Sequence, residues 1–215
     1  MLSLDHIVFA GKDLQSATKE YGNIALKSVK GGEHERWGTE NYLAYFSNSC
    51  YIEWLGIQDL ATAEQSNNPL VQHLVYTLST QSQGPFQMAL RTTRLDDYVT
   101  HFEKNGIPFT GPINGQRLKQ DGATLHWRML FPSYDYTKET LPFLIEWGQP
   151  EEERFDVSLV NSQAITSVQF GGTDEATFRH IYQLRSRPRT RPGRFRLRNA
   201  TISFKNDAAL HVKLA

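Results

Sequence analysis

The sequence predicts an α+β fold of paired βαβββ modules, followed by a third, partial βαβββ-like unit at the C-terminus. Three observations predict it. An order of strand, helix and three strands runs through the first 60 residues and then recurs. Both halves end on the same tripeptide, Ile52-Glu53-Trp54 and Ile145-Glu146-Trp147, each followed closely by Gly. The chain has 215 residues, 39% of them hydrophobic, so it can bury a sizeable core. No apolar run approaches the ~20 residues of a membrane-spanning helix.

In the first module (1–58), Leu4–Ala10 is an apolar, β-branched strand interrupted by one polar pair. Lys12–Tyr21 is rich in helix formers, with Asp13 as N-cap and Gly22 near its end. Strands are expected at Leu26–Gly31, Asn41–Ser47 and Cys50–Ile57, separated by the turn-rich GGEHERWGTE and SNS. The connection 59–83 carries Leu70, Val71, Leu74, Val75 and Leu78 on one helical stripe. The second module (84–150) repeats the order. Pro85–Thr92 is a strand, Leu95–Asn105 a helix closed by Gly106, and strands follow near Phe109–Lys119, Thr124–Phe131 and Pro142–Gly148.

Residues 151–215 form the third unit. Phe170-Gly171-Gly172-Thr173-Asp174 echoes Phe9-Ala10-Gly11-Lys12-Asp13, and each leads into a helix. Strands are expected at Ala200–Lys205 and Ala208–Leu214. Ser167 stands where His6 stands in the first module, so this unit is expected to bind no metal.

Charge separates the units. Residues 179–215 hold eight Arg and two Lys against Asp207 alone, yet 23 basic residues balance 23 acidic ones over the chain. The first 178 residues are therefore as acidic as the tail is basic. Seven of the fourteen residues Arg185–Arg198 are Arg. This run is expected to dock on the acidic modules, within one molecule or across a homodimer. Phe195 is its one aromatic, too few for a stacking platform, so nucleic acid is disfavoured. A single cysteine, Cys50, excludes a disulfide framework. The N-terminus lacks a basic start and long apolar stretch, so a cytoplasmic protein without a membrane partner is expected.

Four polar residues interrupt apolar strands: His6, Glu53, Gln87 and Glu146. Aligning the two helices sets His6 on Gln87, giving each half one N/O donor and one carboxylate. A pseudo-twofold pairing of the halves would gather all four, a competent ligand set for a divalent transition metal.

Here the chain resembles the glyoxalase-like domain proteins of the vicinal oxygen chelate superfamily. The resemblance covers residues 1–150 and rests on LDHIVFAGKDL, GGEHERWGTENYLAYF, YIEWLGI, LHWRMLFP and LPFLIEWGQP. It implies that the modules curl their sheets around a cup holding one divalent ion (Zn, Mn, Fe, Ni or Co). It also implies that His6, Glu53, Gln87 and Glu146 are its ligands. Gln87 stands where an extradiol dioxygenase would need a second His, which argues against that chemistry.

Further candidates carry two readings each. His34, in the Gly-rich turn, reads as a substrate contact or a plain loop residue. Thr39 and Asn41 read as substrate contacts or turn stabilisers. Arg128 interrupts LHWRMLF, and either grips a substrate carboxylate or phosphate or pairs with a ligand carboxylate. Trp54 and Trp147 either stack on a ligand or pack the core. His126 is expected on the face of Arg128, and His73, His101, His180 and His211 on helix or strand surfaces. No GxSxG elbow, P-loop or dinucleotide fingerprint occurs.

The resulting expectation is a metal-dependent lyase or isomerase acting on a small carbonyl compound or its adduct. Glu53 or Glu146 would remove a proton beside the carbonyl and leave an enediolate. The alternative is a binding or resistance-type protein that sequesters a small molecule in the same cup without chemistry.

Overall fold

Apolar β-branched runs become strands and capped amphipathic runs become helices in a computed structural model of the chain. It describes residues 1–20, 26–119, 122–154, 156–184, 193–205 and 210–214. The first half gives β1 (Ser3–Ala10), α1 (Leu14–Glu20), β2 (Val29–His34), β3 (Thr39–Phe46) and β4 (Cys50–Ile57). Asp13 caps α1, its carboxylate accepting from the Ser16 amide at 3.1 Å. The connection folds as two helices, α2 (Leu60–Glu64) and α3 (Pro69–Ser79). The break is local: Asn68 caps α3 by accepting from Leu70 N at 3.0 Å, and Pro69 fills the first helical position. Leu70, Val71, Leu74 and Leu78 are its buried stripe.

The second half gives β5 (Gly84–Arg91), α4 (Leu95–Asn105), β6 (Phe109–Leu118), β7 (Thr124–Pro132) and β8 (Phe143–Trp147). Gly106 ends α4 with φ 63°, the left-handed conformation glycine adopts without a Cβ clash. All eight strands share one curled sheet, in the order β2-β3-β4-β1-β5-β8-β7-β6. β1 runs parallel to β4 and antiparallel to β5, while β5 runs parallel to β8. Ile7 lies opposite Met88, and around it His6 faces Ala89 and Val8 faces Gln87. The edge strands β2 and β6 approach one another and close the cup.

Each face of this sheet builds a core. On the convex side Ile7, Phe9, Ile52, Trp54, Met88 and Leu90 pack with α1 and α4. On the concave side Val8, Leu55, Ala89, Phe143 and Ile145 pack under Leu70 and Leu74 of α3. Each of the larger aliphatic and Phe side chains contributes on the order of 1.5–3 kcal/mol.

Beyond β8 come α5 (Glu151–Arg154), then β9 (Val160–Asn161), which pairs with β3. The third unit follows as β10 (Ile165–Phe170), α6 (Glu175–Ile181), β11 (Arg194–Arg196), β12 (Thr201–Phe204) and β13 (Leu210–Leu214). β10 is parallel to β12 and antiparallel to β13, repeating the relation of β1 to β4 and β5. Its apolar face joins the convex core through Val168, Phe170, Phe178 and Ile202. Polar bonds add to this. Asn199 brackets Leu4 of β1, accepting from its N–H and donating to its C=O, both at 2.9 Å.

Of the Arg-rich run, residues 185–192 lie outside the described residues. Arg194, Arg196 and Arg198 are exposed, and Arg198 meets the first module through a backbone bond to the Leu2 carbonyl at 3.0 Å. No helix among the described residues is long and apolar enough to cross a membrane.

Candidate functional site

The cup site begins with an irregularity in β1. Between Leu4 and His6 the pairing with β5 shifts by one residue, so Asp5 and His6 together oppose Ala89. A bulge of this kind re-aims side chains, and here it turns both residues to the concave side. His6 Nδ1 and Asp5 Oδ1 are 2.8 Å apart. A carboxylate only accepts, so the imidazole donates through Nδ1, and its Nε2 faces Glu53 Oε2 at 3.4 Å. Asn41 Nδ2 donates to the other Glu53 oxygen at 2.5 Å. Asp5, His6, Glu53 and Asn41 thus form one chain, each no more than 8% exposed.

Asp5 is the anchor. Trp147 Nε1 donates to its Oδ2 at 3.1 Å, and Arg91 and Arg154 each stand 3.5 Å from it. Burial pushes its carboxyl up, but the bond from His6 and the charges of His6, Arg91 and Arg154 outweigh that, holding it below the usual range. Tyr51 stacks on His6 with ring centroids 4.4 Å apart. Burial, with Asp5 and Glu53 nearby, pushes its phenol well up and keeps it neutral.

The inner cavity has a volume of ≈ 60 Å³, room for on the order of five waters. Leu43, Leu55, Leu70, Met129, Phe143 and Ile145 supply its apolar wall. It opens past His34, Trp37 and Arg117 into an outer cleft of ≈ 1040 Å³. Three buried side-chain polar atoms lack a hydrogen-bond partner among the described residues: Asn41 Oδ1, Asn68 Nδ2 and Arg154 Nε. All three residues line this one cavity. Unpaired buried polar groups are costly, and their gathering here marks the cup as the place where a polar ligand belongs.

The structure brings together part of the set expected from sequence. His6 and Glu53 meet, and His34, Thr39, Asn41 and Trp147 line the same cavity. His34 Nδ1 lies 3.1 Å from Thr39 Oγ1. Burial lowers its pKa, with Arg117 adding to the shift and Glu53 opposing it.

The remaining expected residues lie elsewhere. Gln87, opposite Val8, donates to Tyr134 Oη at 2.6 Å and to the Leu141 carbonyl at 3.2 Å, behind α3. Glu146 points to the convex side, where it accepts from the Leu95 amide at 3.2 Å and pairs with Arg128. Arg128 also grips Asp96 of α4 at 3.0 and 3.1 Å, so of its two readings the pairing with the Glu146 carboxylate is the one the structure shows, and the grip on a substrate gives way to it. Trp54 is 1% exposed in the convex core, against Phe9. His126 is exposed, and His73 is buried, contrary to its expected surface position.

Among the described residues no group of three or more His, Cys, Asp or Glu side chains is arranged to hold a metal ion. Gln87, on the concave face beside Val8, is committed to Tyr134 and the Leu141 carbonyl, and Glu146, on the convex face, to Arg128. As placed, these residues do not fit the four-ligand centre that the resemblance implies.

Asp5, Tyr51, Arg117 and Arg154 were not expected from sequence. For Asp5 a signal existed: two successive polar residues inside an alternating strand mark a bulge. Arg154 follows the acidic run Glu151–Glu153 in a four-residue helix, where nothing local points to a cup.

A profile described as glyoxalase-like domain matches residues 4–185. No curated protein sequence matches the chain. Among solved structures, a hypothetical protein from Staphylococcus aureus is similar at TM-score 0.77 and 18% identity, covering 95% of this chain and 87% of its own. Methylmalonyl-CoA epimerase from Streptomyces coelicolor aligns at TM-score 0.49 and 17% identity, covering 68% of this chain and 97% of its own. The Mycobacterium tuberculosis epimerase gives 0.49 and 19%, with 69% and 89% covered. At these identities the Staphylococcus likeness is one of fold.

Proposed function

The chain belongs to the glyoxalase-like domain family, and from that premise we propose that its cup binds a small carbonyl compound and moves a proton on the carbon beside the carbonyl. The observation that supports this reading is the Asp5–His6–Glu53–Asn41 chain at the polar end of an otherwise apolar cavity.

Asp5 is fully engaged, and its role is to orient. By accepting from Nδ1 it fixes the imidazole tautomer and turns Nε2 toward Glu53. His6 Nε2 and Glu53 Oε2 stand 3.4 Å apart, close enough for a proton to pass from the carboxylate to the imidazole. Glu53 takes the substrate proton, and His6 exchanges it with Glu53. Asn41 holds the carboxylate in place through the oxygen that does not face His6. The anion left on the substrate meets a buried guanidinium in the same cavity, Arg154. Return of the proton to the same or a neighbouring atom gives an isomerase; loss of a leaving group gives a lyase. A positioned acid–base pair of this kind is worth about 10²–10⁴ in rate.

The apolar wall supports the second reading as well, since it would hold the same molecule with no chemistry. Deuterium wash-in separates the two. The protein is incubated in D₂O with a panel of 2-oxo acids, hydroxyketones and thioesters, and loss of the α-proton signal is followed by NMR. Catalysed exchange that Glu53→Gln removes while binding persists is the expected result. Binding without any exchange would leave the sequestering reading.

A further inference from the structure

We propose that Arg117 anchors a carboxylate on the molecule held in the cup, which makes the substrate class a small carbonyl-bearing carboxylic acid. Arg117 lies on β6 at the mouth, half-buried, and lines both the inner cavity and the outer cleft. Of the two guanidiniums that line the inner cavity, Arg154 is already ion-paired with Asp5 and Glu151 at its depth, next to the reacting centre. Nearby, Arg91 is paired with Asp5 and Glu151, and Arg128 with Asp96 and Glu146. The Arg117 guanidinium has no hydrogen-bonded or ion-paired partner among the described residues.

The neighbouring strand makes room for it. A Cβ on Gly31 would stand 2.6 Å from an Arg117 terminal nitrogen and 2.3 Å from Asn41 Oδ1, closer than real Cβ atoms come. On Gly32 it would stand 3.2 Å from Arg117 Cδ. Glycine at both positions lets the side chain lie across β2, with its guanidinium beside the Asn41 amide. That amide also holds Glu53. A planar fork held at its stem loses little freedom on binding, and two parallel N–H donors match a carboxylate. An acid seated there has its neighbouring carbon next to the amide that carries Glu53. This placement of the reacting carbon rests on the proton-transfer reading above; the anion site itself does not.

The test compares 2-oxopentanoate, its methyl ester and 2-pentanone by calorimetric titration of the full chain. Wild-type protein is expected to bind the acid about tenfold or more tighter than either neutral compound. In Arg117→Met, which keeps an apolar stem over the glycines, the acid should fall to the level of the ester while the ester is unchanged. In Glu53→Gln the acid preference should persist. Equal binding of acid and ester, no saturable binding of the acid, or a preference surviving in Arg117→Met would each overturn the proposal. Acid-selective binding without α-proton exchange would leave this site standing and remove the proton-transfer reading. Equal exchange on acids and neutral ketones would do the reverse.

Discussion

The two modules use the same tripeptide with opposite faces. In β4, Ile52 and Trp54 pack the convex core and Glu53 enters the cup. In β8, Ile145 and Trp147 enter the cup and Glu146 turns outward to Arg128 and α4. Strand side chains alternate with period two, so a one-residue difference in phase moves every side chain to the other side. The repeat conserves the shape of the strand and divides its chemistry: the first module supplies the polar chain, and the second supplies half of the apolar wall, Met129, Phe143 and Ile145. The two histidines mark the same division. His6 stands between two carboxylates, whereas His73, on α3 of the connection, meets second-module Tyr134 Oη at 3.0 Å and three aromatic rings.

The largest effect on stability should separate the two tryptophans. Trp54→Ala removes a core side chain and should cost about 3–5 kcal/mol in urea unfolding. Trp147→Ala, at the cavity, should cost less and weaken ligand binding instead. Equal stability losses would erase the difference in phase.

A second variant probes how the first module holds its bulge. Asn199→Ala leaves the Leu4 N–H and C=O without their partners and should cost about 2–3 kcal/mol. It should also lower activity, because Leu4 precedes the shift that aims Asp5 and His6. A stability loss with kcat untouched would show that the third unit only buttresses the fold.

The smallest effect is a pH dependence at the other end. Burial lowers the His73 pKa to about 4, against about 6.5 unfolded. The unfolded chain therefore binds more protons between these values, and stability must fall as pH drops from 6.5 toward 4. This group should remove about 2 kcal/mol between pH 7 and 5, a loss absent from His73→Phe. Identical pH slopes in the two proteins would show that His73 is not held neutral.

Much of this fold was legible in the sequence because strand runs, caps and the repeat are local signals. Asp13, Gly106 and the stripe on α3 all fall where spacing puts them. His6 and Glu53 were legible for the same reason, as polar residues inside apolar strands. The phase of β8 was not, since Ile145-Glu146-Trp147 reads identically from either side. Nor was the role of Arg117, which depends on a glycine pair more than 80 residues away that β2 and β6 bring together.

The central claim is that proton transfer belongs to the first module's carboxylate and not to its twin in the second. Deuterium wash-in with wild-type, Glu53→Gln and Glu146→Gln protein on the same bound carbonyl compound tests it most directly. Glu53→Gln is expected to lose about 10²–10⁴ in exchange rate and Glu146→Gln to stay within about threefold of wild type, since its side chain faces α4. Equal losses in both variants, or a loss confined to Glu146→Gln, would contradict it.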